Sequence, residues 1–399
     1  MGSASQSAPD PAVGRIASID ALRGFDMFWI VGGKTALVAV LAIFVSPLPD
    51  WLKYQLSHPD WEGFSAWDMI MPLFLFVVGA AMPMAFAKRR EQGATTASIY
   101  WRVIRRVLVL WVLGMAVQGN LLVADQKWIH LFSNTLQAIA VGYLVASILL
   151  LHTPVVGQAI AAAALLIGYW LLMLCVPFGD HPAGTLEPTA NLARHIDQWV
   201  LGPFRDGTTT YTWILSGMGF AATVLLGVLA GHLLRSAWSG WMKVFWLVAM
   251  GGMCLALGWF WAGGFDGLPW LGGATLVGSW RFPIIKHLFT SSMVLWAAGW
   301  SYLLLALFYL LIDVLRLRRA FFVFEVIGAN AIFAYVSWNL FSASFENVAA
   351  KLLGALARYF KTLGDPMPAI GQALTPVGAV VVLWLVLYYM YRNRTFLRV

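Results

Sequence analysis

The chain has 399 residues, of which 60% are hydrophobic and only 11% carry a charge. Soluble domains carry roughly 25% charged residues, so this composition, with a mean hydropathy of +0.76, excludes an ordinary water-soluble fold. The formal net charge is +8, but the basic residues stand in short clusters between apolar runs, which argues against a nucleic-acid partner. Composition therefore predicts a protein that resides in a lipid bilayer.

The first fourteen residues are polar and rich in Pro and Ser, and they lack the apolar core and the cleavage site of a signal peptide. We expect residues 1–14 to be disordered and residues 15–399 to form a single transmembrane domain. The two cysteines, Cys175 and Cys254, lie within apolar segments without metal-site spacing, so neither a bound metal nor a disulfide framework is expected.

Apolar runs of about 17 to 25 residues, the length of a helix that crosses a bilayer, recur along the chain. They predict an all-α bundle of about ten transmembrane helices. The predicted spans lie near residues 21–45, 66–87, 103–123, 134–151, 155–177, 212–234, 243–262, 288–313, 321–343 and 372–392. Four long loops, at 46–65, 178–211, 263–287 and 344–371, are predicted to fold over one end of the bundle as a small cap.

The charges between the apolar runs predict the orientation of the bundle. With a cytoplasmic N-terminus, 16 of the 26 basic residues fall in cytoplasmic segments, and 12 of the 18 acidic residues fall on the outer side. Because cytoplasmic loops are enriched in Lys and Arg, both termini are predicted to be cytoplasmic, with the polar chemistry at the outer face. Arginine clusters at 88–90, 102–106 and 316–319 could bind phosphates of a cytoplasmic ligand, although topological charge is the stronger interpretation.

The most informative stretch is the loop at 57–63, which leads into the second predicted span. An imidazole acts as a nucleophile or general base near neutral pH, and a carboxylate orients the ring and stabilises its cationic form. His58 and Asp68 are therefore a candidate catalytic pair. The plainer interpretation is that His58 is an interfacial loop residue and that Asp68 complements the dipole of a helix start. Trp61 and Trp67 nearby could stack on a sugar ring.

Polar residues within the predicted spans form a second group of candidates, because a bilayer penalises an unpaired charge by roughly 2.5–3.5 kcal/mol. They are expected to face the bundle interior, either to pair the helices or to line a site. They are Asp20, Arg23, Asp26, Lys34, Asn134, Gln137, Lys286, Thr290, Ser291, Ser292, Asn330, Tyr335 and Asn339. Gly227 and Gly231, by contrast, have the spacing that lets two helices approach closely, and we interpret them as packing residues.

Several different motifs follow one another along the chain. The first three are Ser18-Ile-Asp20-Ala-Leu-Arg23-Gly24, His58-Pro-Asp-Trp61-Glu-Gly63 and Asp68-Met-Ile-Met-Pro72-Leu-Phe74-Leu-Phe76-Val-Val-Gly79. The later ones are Leu136-Gln137, Ile196-Asp197, Leu201-Gly202, Pro283-Ile-Ile-Lys286 and Gly328-Ala-Asn330-Ala-Ile332 with Tyr335. Taken together they resemble the heparan-alpha-glucosaminide N-acetyltransferase family of the transmembrane acyltransferase superfamily. The resemblance covers nearly the whole chain and is closer to bacterial members, which lack the large luminal portion of the lysosomal enzyme.

The resemblance implies transfer of an acetyl group from cytoplasmic acetyl-CoA to an amino sugar or other saccharide on the periplasmic side of a bacterial inner membrane. The family's active histidine matches His58, and its neighbouring acid matches Asp68. The residues expected to line the donor cavity are Asn134, Gln137, Lys286 and Asn330. The implied partners are acetyl-CoA, the acceptor and the bilayer, with a homodimer left open.

Two positions depart from the family pattern, and two other function classes stay open. Asparagines of the family fall on Lys34 and His287, so acceptor recognition is expected to differ. The main alternative is an inner-membrane transporter of amino sugars related to N-acetylglucosamine, and the third class is a structural subunit whose polar residues only pair helices. A concentrated His/Asp site favours the enzyme, whereas paired broken helices in two related halves would favour transport.

Overall fold

A computed structural model describes residues 16–124, 127–264, 280–364 and 367–397, and the predicted disorder of residues 1–14 concerns a segment outside these ranges. Within the described ranges the regular structure is helical. In chain order the helices are α1 (Ala17–Phe28), α2 (Lys34–Phe44), α3 (Asp50–Gln55), α4 (Ile70–Glu91), α5 (Thr96–Gln118), α6 (Thr135–His152), α7 (Val155–Cys175), α8 (Leu192–Leu201), α9 (Gly217–Arg235), α10 (Gly240–Trp261), α11 (Ser291–Tyr309), α12 (Phe322–Ala329), α13 (Ala331–Lys361) and α14 (Met367–Arg392).

The predicted class, a polytopic helical membrane protein, is confirmed. In the described part of the chain, eight helical segments are long and apolar enough to cross a membrane, and a ninth is added if α12 and α13 count as one broken span. The predicted span at 103–123 corresponds to α5, which is 23 residues long. This helix is not among those eight segments, and it carries Arg102, Arg105 and Arg106.

Glycines let two pairs of helices pack backbone against backbone. A side chain at Gly79 of α4 would overlap the main chain of α9, and one at Gly227 of α9 would overlap the main chain of α4. Gly231 also lies against α4, so the interpretation of Gly227 and Gly231 as packing residues is confirmed. Gly24 of α1 and Gly328 of α12 form a second close contact of the same kind.

Two spans are broken, and the breaks lie in helices that pack together. A π-helical turn at Trp29–Gly33 joins α1 to α2, and within it Gly32 has a φ of 92°, which favours glycine. A side chain at Gly32 would also collide with Trp338 of α13. The second break is the 68° bend at Asn330, between α12 and α13.

The prediction of a loop at 344–371 is wrong for most of its length, because α13 continues to Lys361. The physical reason is packing beyond the predicted span. Ala349 and Leu353 of α13 lie against Gly378 of α14, and Ala357 lies against Gly371. The small residues Ala349, Ala357, Gly371 and Gly378 let α13 and α14 stay close together as a helical hairpin.

Three loops meet at one end of the bundle, as predicted for a cap. The amide of Gly63 donates to the carbonyl of Ile284 at 2.9 Å, which joins the loop before α4 to the segment before α11. The indole of Trp61 donates to the carbonyl of Leu186 at 2.9 Å, which adds the loop between α7 and α8. We call this the cap end of the bundle.

The opposite end carries the arginine clusters at 88–90 and 316–319. The helix α4 starts at the cap end and finishes with Lys88, Arg89 and Arg90. The start of α1 lies at this same end, because the amide of Ser18 donates at 3.2 Å to Asp313, in the π-helical turn Leu310–Val314 that follows α11. We call it the arginine end.

Candidate active site

The predicted pair His58 and Asp68 is in direct contact. The Nδ1 atom of His58 lies 2.6 Å from Oδ1 of Asp68, which is in the 3₁₀ turn Ala66–Met69 that leads into α4. The other carboxylate oxygen accepts the backbone amide of Ser65 at 3.0 Å and so caps the turn. Asp68 therefore does both things that the sequence suggested, since it caps a helix start and it holds the imidazole.

Ser65, the serine of this cap, is not among the residues predicted for the site, although the sequence carries a signal for it. Ser65-Ala-Trp-Asp68 has the spacing of a capping box before an apolar run. The hydroxyl of Ser65 also donates to the carbonyl of Ser57 at 2.6 Å. This bond closes the loop that carries His58.

Lys286 joins the pair from a segment 228 residues away from His58. Its Nζ lies 3.1 Å from Oδ1 of Asp68 and 3.2 Å from Nδ1 of His58. The side chain of Lys286 is 10% exposed and that of Asp68 is 1% exposed, whereas that of His58 is 40% exposed. The imidazole is therefore the member of the cluster that a ligand can reach.

The contacts of Nδ1 decide the tautomer of His58. This nitrogen can donate a proton to Asp68 or accept one from Lys286, but it cannot do both. The 2.6 Å contact is short for a nitrogen–oxygen hydrogen bond, as expected when a charged carboxylate accepts. With the proton on Nδ1, the lone pair of Nε2 is available to act as a nucleophile or a base.

The buried charges of the cluster offset each other. Burial lowers the pKa of Lys286, and the neighbouring carboxylate of Asp68 opposes this shift. A buried ion pair is weakly stabilising as a whole, but removing one partner leaves an uncompensated charge. Lys286 and Asp68 therefore depend on each other.

His287 lies between two aromatic rings beside this cluster. Its ring stacks on Trp61 with centroids 5.4 Å apart and lies 4.4 Å from the ring of Tyr211. Burial lowers the pKa of His287 to about 4, helped by the neighbouring ammonium of Lys286, so this ring is neutral at pH 7. In the sequence His287 stands out only as a departure from the family pattern, and nothing there signals Tyr211.

Trp67 connects His58 to the first span. Its ring centroid lies 6.4 Å from that of His58. On the same indole, the Nζ of Lys34 lies 4.3 Å from the ring centroid. Because Lys34 is the first residue of α2, the break after α1 decides where this ammonium lies.

Asn134 and Gln137 are buried at the start of α6, and their amides bind the main chain. Asn134 accepts the amide of Leu136 at 2.6 Å and donates to the carbonyl of Gly114 at 3.3 Å. Gln137 accepts the amide of Ser133 at 2.8 Å and donates to the carbonyl of Leu131 at 2.7 Å. These bonds cap α6 and attach it to α5, and none of them reaches His58.

Asn330 lies at the arginine end and not beside His58. Its side chain donates to the carbonyl of Thr395 at 3.1 Å and accepts the amide of Leu397 at 3.0 Å. The neighbouring Gly328 lies against the main chain of Asp20, which precedes Lys34 by 14 residues. At 1.5 Å per helical residue, Asp20 and Lys34 are therefore about 20 Å apart along the first span. The four residues predicted for the donor site are thus not brought together.

Comparisons with known proteins show what the chain is similar to. Residues 15–166 match the model of a family described as a domain of unknown function, DUF5009. Heparan-alpha-glucosaminide N-acetyltransferase of Mus musculus is 23% identical over 137 residues, which cover 34% of this chain and 20% of that protein. The Homo sapiens protein of the same name is 23% identical over 243 residues, which cover 51% of this chain and 36% of that protein.

The matches indicate a distant relationship to these membrane N-acetyltransferases. The matches cover 20% and 36% of the length of these two relatives, so the chain spans at most little more than a third of either. The DUF5009 match contains His58, Asp68, Asn134 and Gln137, whereas Lys286 lies beyond it. The third member of the cluster is therefore known from the tertiary structure and not from the family match.

Proposed function

We propose that this chain is an acetyltransferase of a bacterial inner membrane, which moves an acetyl group from acetyl-CoA to an amino sugar or other saccharide. The observation that carries the proposal is the cluster of His58, Asp68 and Lys286, in which a reachable imidazole is held by a buried carboxylate. The reaction class comes from the distant relationship to proteins named as N-acetyltransferases.

In this reaction the imidazole of His58 either moves a proton or carries the acetyl group. In the reaction the C–S bond of the thioester breaks, an N–acetyl bond forms on the acceptor amine, and the proton that the amine loses ends on the CoA thiol. The Nε2 atom of His58 can take that proton as a general base, or it can first bond to the acetyl carbon as a nucleophile. In both routes Asp68 stabilises the positive ring that forms.

The two ends of the bundle suggest which side each substrate uses. Cytoplasmic loops are rich in Lys and Arg, so the arginine end is proposed to face the cytoplasm and the cap end the periplasm. Acetyl-CoA is highly charged and would enter from the arginine end, toward which Asn330 lies. Asn134, Gln137 and Asn330 are proposed to contact the donor, and each would exchange a present main-chain bond for it.

One observation favours the alternative of an amino-sugar transporter. Both broken spans pack against each other, through Gly24 with Gly328 and through Gly32 with Trp338. Broken helices often line the substrate sites of transporters. We rank acetyl transfer first because transport without chemistry gives no role to an imidazole that a buried carboxylate orients.

The test uses purified protein in lipid nanodiscs and in proteoliposomes. Calorimetry with CoA and acetyl-CoA should detect binding, and radiolabelled acetyl-CoA should label glucosamine. The matched control is His58→Ala, which should bind CoA without labelling. Absence of CoA binding, combined with uptake of glucosamine into liposomes that contain no acetyl-CoA, would replace the enzyme by the transporter.

A further inference from the structure

Lys34 holds a positive charge beside the cluster, and the chain itself neutralises it only in part. In the part of the chain that the structure describes, its ammonium makes a cation–π contact with Trp67 and no ion pair. The carboxylate of Asp68 is already engaged by His58, Lys286 and Ser65. The site's own acid is therefore not available to this lysine.

A lysine in a membrane-spanning helix is costly, and this one lies within the span Ala17–Phe44. Lys34 is half-buried, and its cation–π contact offsets only part of the hydration that the ammonium gives up. Charged residues in such spans are typically functional, because a ligand or a partner supplies the compensating charge. The ligand expected at Lys34 is therefore an anion.

The position of Lys34 indicates which substrate carries that anion. The ammonium of Lys34 and the imidazole of His58 lie against the same indole ring, that of Trp67, at 4.3 Å and 6.4 Å from its centroid. When the thioester of acetyl-CoA is at His58, the part of the donor next to it is the uncharged pantetheine arm, and the phosphates lie at the far end of that arm. An anion at Lys34, beside the same indole as the reacting imidazole, therefore belongs to the acceptor.

We propose that Lys34 binds an acidic substituent, a carboxylate, sulfate or phosphate, of the saccharide acceptor, so that the chain prefers acidic amino sugars to neutral ones. This proposal rests on the proposed acetyl transfer and names its acceptor class. The face of Trp67 would lie along the sugar, and the amine of the sugar would lie near Nε2 of His58.

The test compares glucosamine, glucosamine 6-phosphate and glucosamine 6-sulfate as acceptors at fixed acetyl-CoA. The wild-type chain should use an acidic acceptor with a kcat/KM at least about tenfold above that of glucosamine, and Lys34→Met should remove this preference mainly through KM. Lys34→Arg should keep it. The control is Lys53→Met, which removes an exposed lysine that pairs with Asp50 and should change nothing.

Binding is measured separately, by calorimetry with the same three sugars on His58→Ala and on His58→Ala combined with Lys34→Met. Tighter binding of the acidic sugars that disappears in the double variant supports the anion site. If no sugar is acetylated at the same time, the proposal of acetyl transfer is wrong and the anion site stands. Equal use and equal binding of all three sugars overturns the proposal while acetyl transfer stands. A rise in the KM of acetyl-CoA alone in Lys34→Met also overturns it, because the anion would then belong to the donor.

Discussion

The Nδ1 atom of His58 lies 2.6 Å from Oδ1 of Asp68, and the two side chains differ sharply in exposure. The carboxylate is buried and also caps the start of α4, so it cannot move without disturbing the helix. The imidazole faces solvent with 40% of its side chain. This difference separates a group that reacts from a group that orients it, and it leads to distinct expectations for the two residues.

Replacing His58 by alanine should abolish acetyl transfer and leave CoA affinity within roughly tenfold of the wild type. The imidazole acts on the acetyl carbon, whereas most donor affinity should come from nucleotide and pantetheine contacts. Turnover with glucosamine and calorimetry with CoA measure the two effects. His195→Ala, which removes another exposed histidine of the cap, is the control. Wild-type turnover would contradict the mechanism, and lost CoA binding would make His58 a structural or donor-site residue.

Asp68→Asn should be milder and reduce turnover by roughly 10²-fold, because acid–base assistance contributes about 10²–10⁴-fold. The amide keeps the shape and one acceptor oxygen, but it loses the negative charge that stabilises a positive imidazole and can select the wrong tautomer. Steady-state rates at saturating acetyl-CoA measure the loss. A rate as low as that of His58→Ala would mean that Asp68 does more than orient the ring.

Lys286→Met should lower the free energy of unfolding by about 3 kcal/mol, because it leaves the buried carboxylate of Asp68 without its cation. The double variant with Asp68→Asn should recover much of that loss. Unfolding in detergent, followed by tryptophan fluorescence, provides the double-mutant cycle. The exposed pair of Lys53 and Asp50 gives the control, since Lys53→Met should cost under about 1 kcal/mol. Strictly additive effects at Lys286 and Asp68 would show that the two charges are not coupled.

Stability should fall as the pH drops below about 6.5, the ordinary pKa of histidine, toward the value of about 4 to which burial lowers the pKa of His287. In that window the unfolded chain binds the proton and the folded chain does not, so acid favours unfolding. His287→Asn removes the titrating group and should flatten this part of the curve. Melting temperatures from pH 4.5 to 8 at constant ionic strength measure it. Parallel curves for the two proteins would exclude this origin of acid sensitivity.

The proposed orientation predicts which positions an impermeant thiol reagent can label on intact cells. In a background with Cys175→Ala and Cys254→Ala, Glu62→Cys and Gln198→Cys at the cap end should react from outside. Arg319→Cys at the arginine end should react only after the membrane is opened. All three positions are exposed to solvent, so access is decided by sidedness. The reverse pattern would overturn the charge argument and the periplasmic position of the site.

Local patterns decided what the sequence could predict. The length and hydropathy of the runs predict membrane helices, because a helix in a bilayer satisfies its backbone hydrogen bonds internally and needs no distant partner. The spacing of Gly227 and Gly231 likewise predicts a close helix contact. The pairing of His58 with Asp68 was within reach for the same reason, since only ten residues and one capped turn separate them.

The tertiary structure alone decided which distant residues join this pair. Lys286 was expected at the donor cavity, but the contact of its segment with the loop before α4 carries its ammonium to Asp68. Asn330 was expected near the same cavity, but α12 runs beside α1 and leaves it at the arginine end. Lys34 lies over Trp67 because a break in the first span sets the direction of α2. Each of these contacts depends on how helices far apart in the chain pack against each other. The sequence pattern of a single helix does not determine the axial position or the rotation at which that helix packs against a partner.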